Sequence, residues 1–118
     1  MEIPIEAILV EPVGSRVTCK PAPTDTDCDW LVLCAQEHVQ NHFALQADGW
    51  EIGGSEVDDG DDLFESWTKG EDNLIITNNV KFFLAFVAAT SVCKRFNLLN
   101  KPDRIAVFQA VLYSRTCT

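Results

Sequence analysis

Asp27 and Asp29 stand two residues apart, directly ahead of the apolar run Trp30-Leu31-Val32-Leu33. Gly14-Ser15 precedes Asp27 by an eleven-residue interval, 16 to 26. On a strand, residues two apart leave the same face, so both carboxylates point the same way. Two carboxylates side by side repel each other unless a cation sits between them. Hard divalent ions, Mg²⁺ above all, take their oxygen ligands from one or two carboxylates plus substrate phosphates. Gly14 permits a tight turn, and Ser15 offers a hydroxyl and an amide to a phosphate oxygen. Arg16, next in the chain, donates in a planar fork that suits phosphate. The chemistry implied is phosphate handling.

At Val13-Gly14-Ser15 and Asp27-Cys28-Asp29 the chain resembles the nucleotidyltransferases of the DNA polymerase beta type. Those proteins carry a small apolar residue, Gly-Ser, a short helical interval and then Asp-x-Asp at the start of a strand. The likeness is greatest to small, single-domain nucleotidyltransferase-like proteins of tailed bacteriophages, and extends more loosely from Leu63 to Tyr113, including Ala106-Val107-Phe108-Gln109-Ala110-Val111-Leu112-Tyr113. The resemblance implies a minimal nucleotidyltransferase fold, with Mg²⁺ or Mn²⁺ held by Asp27 and Asp29 and an NTP held at Gly14 and Ser15. It implies transfer of an NMP group to a protein or RNA hydroxyl in the cytoplasm, that of the host if the chain is phage-encoded. The alternative is a catalytically silent member that binds and inhibits a host protein.

The superfamily takes a third carboxylate from a neighbouring strand. Here the segment after Gly70 is the source, where Glu71, Asn73, Ile75 and Thr77 share one face. Leu74 and Ile76 mark the other face as core. Asn73 is then best placed opposite the aspartates, although it is neutral, and Glu71 lies one step earlier. Both remain candidates. Lys69, beside Trp67 at the hairpin tip, is either a triphosphate contact or a charged turn residue. Trp67 and Trp50 are either stacking platforms for a base or core.

The elements that must position these groups follow from pattern. Ala7 to Glu11 predicts a strand, turned by Pro12-Val13-Gly14-Ser15. Pro21 and Pro23 exclude a long helix in 16 to 26 and leave a single turn or a loop. Thr26 to Leu33 predicts the carboxylate strand. Gln36 to Gln46 predicts a helix, on which His38 and His42 have a metal-compatible spacing. With no third ligand, both read as exposed. Gly49 to Ile52 predicts a short strand stopped by Gly53-Gly54, and Glu56 to Asp62 a solvated acidic loop. Leu63 to Thr68 and Asp72 to Thr77 flank Lys69-Gly70-Glu71 as an antiparallel hairpin. Asn78-Asn79 caps a long helix from Val80 to Asn97, and Pro102 opens a second through about Tyr113. The sum is one domain spanning 1–118, α/β (α+β) in class, a small mixed sheet with packed helices.

A chain of 118 residues can build a core without disulfides. Its five cysteines, at 19, 28, 34, 93 and 117, form no paired motif, so reduced thiols are expected. No basic-then-apolar leader opens it. The tract Phe82 to Cys93 is too short to span a bilayer, so no membrane partner is expected. The net charge of −9 is uneven: residues 1 to 80 carry −14 and residues 81 to 118 carry +5. The acidic part repels nucleic acid at long range, which excludes duplex DNA as a partner, while Lys94, Arg95, Lys101, Arg104 and Arg115 build a basic face.

Overall fold

The computed structural model describes residues 3–20, 28–35, 38–58 and 61–116. Five strands and four helices form a mixed α+β fold: β1 (Leu9–Val13), α1 (Ser15–Thr18), β2 (Cys28–Leu33), α2 (His38–Ala47), β3 (Glu51–Asp58), β4 (Asp61–Lys69), β5 (Asp72–Thr77), α3 (Val80–Arg95) and α4 (Lys101–Thr116). The strands make one sheet in the order β1-β2-β5-β4-β3. Among the described residues β2 and β5 run parallel, and the β1–β2, β3–β4 and β4–β5 pairs are antiparallel.

Both faces of the central strands are covered. Val32, Leu74, Ile76 and Trp67 pack with Leu45 of α2 and with Trp50 on one side. Val13, Leu31 and Leu33 pack with Phe82 and Phe83 of α3 on the other, where Ile75 and Leu112 of α4 also contribute. Continuous Leu-Val-Leu and Leu-Ile-Ile runs are what a doubly covered strand requires. Trp50 and Trp67 are therefore core residues, 4% and 1% exposed, and neither is available to stack on a base.

Local chemistry sets the boundaries. Thr77 Oγ1 accepts the Asn79 N–H. Asn79 Oδ1 accepts the Phe82 N–H at 3.0 Å, a side-chain cap that starts α3. Asn97 ends α3 in the left-handed region, φ 48°, which asparagine tolerates better than most residues. Gly70 supplies φ 61° at the β4–β5 turn.

Three expectations are corrected. Strand β1 runs two residues later than predicted and contains Pro12, which an edge strand can hold because one side of its backbone needs no partner. Gly53-Gly54 does not stop a strand but marks a register shift within β3. The acidic stretch Glu56 to Asp62 is mostly not loop: Val57 pairs with Asp62 and Asp58 with Asp61, so ladder hydrogen bonds of a hairpin outweigh the residues' poor strand propensity. The helix pair α3–α4 and the interval helix α1, a single turn, follow the pattern.

Candidate functional site

The site begins with an interlock. Val13 and Asp29 are opposite partners on β1 and β2, so the residue after Val13 must pass beside the Asp29 side chain. That residue is Gly14, whose φ of 83° lies where only glycine sits readily. A Cβ built on Gly14 would overlap Asp29 Oδ2 and lie 2.9 Å from Asp29 Cγ. Glycine is required here twice over, once by the backbone angle and once by the carboxylate. Its carbonyl then accepts the Val17 and Thr18 N–H groups at 3.0 and 3.1 Å, winding the single turn of α1.

Asp29 also begins a row across the sheet. Asn73 is its direct partner on the parallel strand β5, and Asn73 Nδ2 donates to Asp29 Oδ1 at 3.1 Å. Ser66 Oγ on β4 donates to Asn73 Oδ1 at 2.7 Å. The row lies on the α3–α4 side, where Ile75 also points.

Over this row α4 closes a cleft of about 670 Å³. Gly14, Ser15, Thr18 and Asp29 line one wall, Phe86 of α3 the back, and Lys101, Arg104, Ile105, Phe108, Gln109 and Leu112 of α4 the other wall. The volume suits a drug-sized ligand. Phe108 meets Phe86 edge-on at 4.8 Å between ring centres. Arg104 is fixed by its Nη1, which donates to Leu98 O at 2.9 Å and to Cys19 Sγ at 3.3 Å. Below it Cys93 is buried, and burial raises its thiol pKa; the Arg104 charge pulls it down and Cys19 adds a smaller upward push.

Of the residues picked out by sequence, Gly14, Ser15, Asp29 and Asn73 come together. Asp27 lies outside the described residues. Glu71 sits exposed in the turn before β5, where its carbonyl accepts the Cys28 N–H at 2.8 Å. Arg16 Nη1 donates to Cys28 Sγ at 3.1 Å, and Arg16 is not on the cleft wall. Lys69 is on the opposite side of the sheet. It pairs with Asp48 at 3.4 Å, 6.0 Å from the centre of the Trp50 ring, because it shares the α2 side of β4 with Trp67. His42 is not an exposed partner of His38: it binds the buried Glu65 carboxylate at 2.8 and 3.0 Å, and the His38 side chain lies outside the description. The α4 wall was missed. Its signal was present in the helical spacing 101, 104, 105, 108, 109, 112, which names one face.

For a divalent cation the described residues offer one carboxylate at the cleft, and one of its oxygens already accepts the Asn73 amide. No group of three or more His, Cys, Asp or Glu side chains able to hold a metal occurs among the described residues. They do not make a cation site by themselves. Among them, too, no helix is long and apolar enough to cross a membrane. No protein-family model, curated protein or solved structure matches the chain.

Proposed function

We propose that the cleft binds a nucleoside triphosphate and that the chain transfers its nucleoside monophosphate to a protein or RNA hydroxyl. The observation that carries this reading is the interlock of Gly14 with Asp29 inside a cleft of about 670 Å³. A carboxylate held against a glycine turn, with Ser15 on the same wall, is the arrangement that the Gly-Ser and Asp-x-Asp resemblance implies. Ser15 supplies donors to phosphate oxygens, and the turn keeps its backbone close to the ligand. Mg²⁺ or Mn²⁺, held through Asp29 and Asp27, belongs to this proposal only as an added component, since the described residues do not complete its ligand set.

A second reading, a catalytically silent nucleotidyltransferase-fold protein that binds and inhibits a host protein, draws on one observation. The third carboxylate position is Asn73, whose amide hydrogen is committed to Asp29. An N–H donor there stabilises the carboxylate by a hydrogen bond, at a position where a third carboxylate would instead help hold a cation.

Incubation with each NTP labelled at the α-phosphate, with Mg²⁺ or Mn²⁺ and with protein and RNA acceptors, tests the first reading. Label retained on an acceptor after denaturation, and lost in Asp29→Ala, supports transfer. Tight nucleotide binding by calorimetry with no label transferred supports the silent reading. Absence of nucleotide binding sinks the transfer reading.

A further inference from the structure

The cleft wall contributed by α4 is ordered along its axis. Lys101 and Arg104 stand on the first turn, and Ile105, Phe108 and Leu112 follow on the next two. At about 1.5 Å per residue, Lys101 and Phe108 are separated by about 10 Å along the helix. The α1 end of the opposite wall lies at the cationic end, because Cys19, next to Thr18, accepts from Arg104. The cleft therefore has a polar, cationic end and an apolar, aromatic end. In a chain of net charge −9 its described lining sets two cations, Lys101 and Arg104, against one carboxylate, Asp29.

We infer that α4 reads both ends of the ligand, Lys101 and Arg104 holding its phosphates while Phe108, with Ile105 and Leu112, packs on its base. This rests on the nucleotide reading above and assigns the residues that select the ligand. Asp29 alone would repel a polyphosphate, so the anion needs compensating cations, and Arg16 and Lys69 are engaged elsewhere. Arg104 is preorganised for the task. Its hydrogen bonds to Leu98 O and Cys19 Sγ run from Nη1, holding the guanidinium at the wall before any ligand arrives. Phe108 offers a half-buried ring whose edge-on contact with Phe86 holds it in place. The ligand class is an anion with phosphates at one end and a ring at the other, spaced by two turns of α4. Free polyphosphate would leave the apolar end wet, and a nucleoside would leave the cations unmatched.

The test is calorimetry on the full chain with ATP, GTP, adenosine, guanosine and inorganic triphosphate, with hexyl phosphate as a ringless amphiphile. Lys101→Ala is the first variant, because Lys101 is exposed and its loss spares the core. Arg104→Ala, Phe108→Leu and Phe108→Ala follow, with thermal melting to confirm folding. Lys101→Ala and Arg104→Ala should each weaken nucleoside triphosphate binding by roughly tenfold or more and leave nucleoside binding unchanged. Phe108→Ala should weaken triphosphate and nucleoside alike, with Phe108→Leu intermediate and inorganic triphosphate unaffected. Nucleotide binding that ignores all four substitutions overturns the inference and leaves the nucleotide reading standing. Equal affinity for hexyl phosphate and nucleotides, both weakened by Lys101→Ala, would uphold the phosphate clamp and overturn the base assignment and the nucleotide reading. No binding of any probe overturns both.

Discussion

Asn73 Nδ2 donates to Asp29 Oδ1 at 3.1 Å, and the two residues are direct partners on the parallel strand pair β2–β5. The amide is oriented from both sides. An ionised carboxylate can only accept, so Asn73 must turn its NH₂ to Asp29. Ser66 Oγ then donates to the Asn73 carbonyl oxygen at 2.7 Å. Hydroxyl, amide and carboxylate thus form a directed chain that contributes hydrogen-bond stabilisation to Asp29.

Replacing Asn73 by Asp should invert that arrangement. Two carboxylates would face each other across one strand spacing, and the apo protein should lose stability, by about 1–3 kcal/mol, with the loss greatest at low salt. Mg²⁺ or Mn²⁺ should restore part of the loss, because a cation between two carboxylates binds only the folded state. Melting curves with and without divalent ion check this for Asn73→Asp and for the wild type. Glu71→Gln should change neither curve, since Glu71 is exposed in the turn. An Asn73→Asp protein that melts alike with and without metal would show that position 73 cannot help hold a cation.

Gly14 gives a sharper test of the interlock. Gly14→Ala meets both a backbone region reserved for glycine and the Asp29 carboxylate. It should cost about 2–4 kcal/mol and displace Asp29 from the cleft. Gly70 also has a positive φ, 61°, but a Cβ added there meets nothing within 4 Å. Gly70→Ala therefore carries the backbone cost alone, about 1–2 kcal/mol. Denaturant unfolding of the two variants compares them directly. If Gly14→Ala costs no more than Gly70→Ala, the carboxylate is not packed on the turn as described.

How much of this was legible in the sequence depends on the range of the interaction. The apolar runs of β2 and β5, the Asn79 cap, the Gly70 turn and Pro102 at the start of α4 are local, and a reader of residues alone can place them. The Asn73 position opposite Asp29 was also legible, through strand alternation. Lys69 was not. Its side of the sheet is fixed by its register with Asp72 and by Trp67 turning inward against Leu45, and both are tertiary facts. The same holds for α4, whose spacing names a face without saying what the face meets. His42 read as exposed because its partner, Glu65, is on a strand 23 residues away.

Cys93 should leave a signature at alkaline pH. Burial raises its thiol pKa in the folded state above the ordinary value. The folded protein therefore keeps its proton while the unfolded chain loses it, so the contribution is fully present below the unfolded pKa and is lost as pH climbs. Stability should decline above about pH 9. Cys93→Ala should show a shallower decline, from a plateau lowered by the cavity it leaves. Denaturant midpoints from neutral to alkaline pH for the two proteins check the slope. In the native state a thiol reagent should modify the half-buried Cys28 well before Cys93. Identical slopes would remove Cys93 from the account.

The α3–α4 junction combines charge with exposed apolar surface, and the combination predicts how it binds. Lys94 and Arg95 close α3, Phe96 and Leu99 follow at 66% and 60% exposure, and Lys101 opens α4. Duplex DNA would need an extended line of phosphate contacts, and the −14 carried by residues 1 to 80 opposes it. No tight duplex binding is expected at physiological salt. A protein partner would seat an aliphatic or aromatic anchor on Phe96 and Leu99, and affinity would depend weakly on salt. An RNA would stack on Phe96 and bind through the cations, with affinity falling steeply as salt is added. Mobility shifts with tRNA and duplex DNA at two salt concentrations separate these outcomes. Lys94→Ala with Arg95→Ala should then reduce the salt slope for tRNA by about two if RNA is the acceptor. Phe96→Ser with Leu99→Ser should leave the melting temperature nearly unchanged, because both side chains already stand in solvent. Tight, salt-sensitive duplex binding abolished by the Lys94/Arg95 pair would reject the protein-partner reading and make a polynucleotide the substrate.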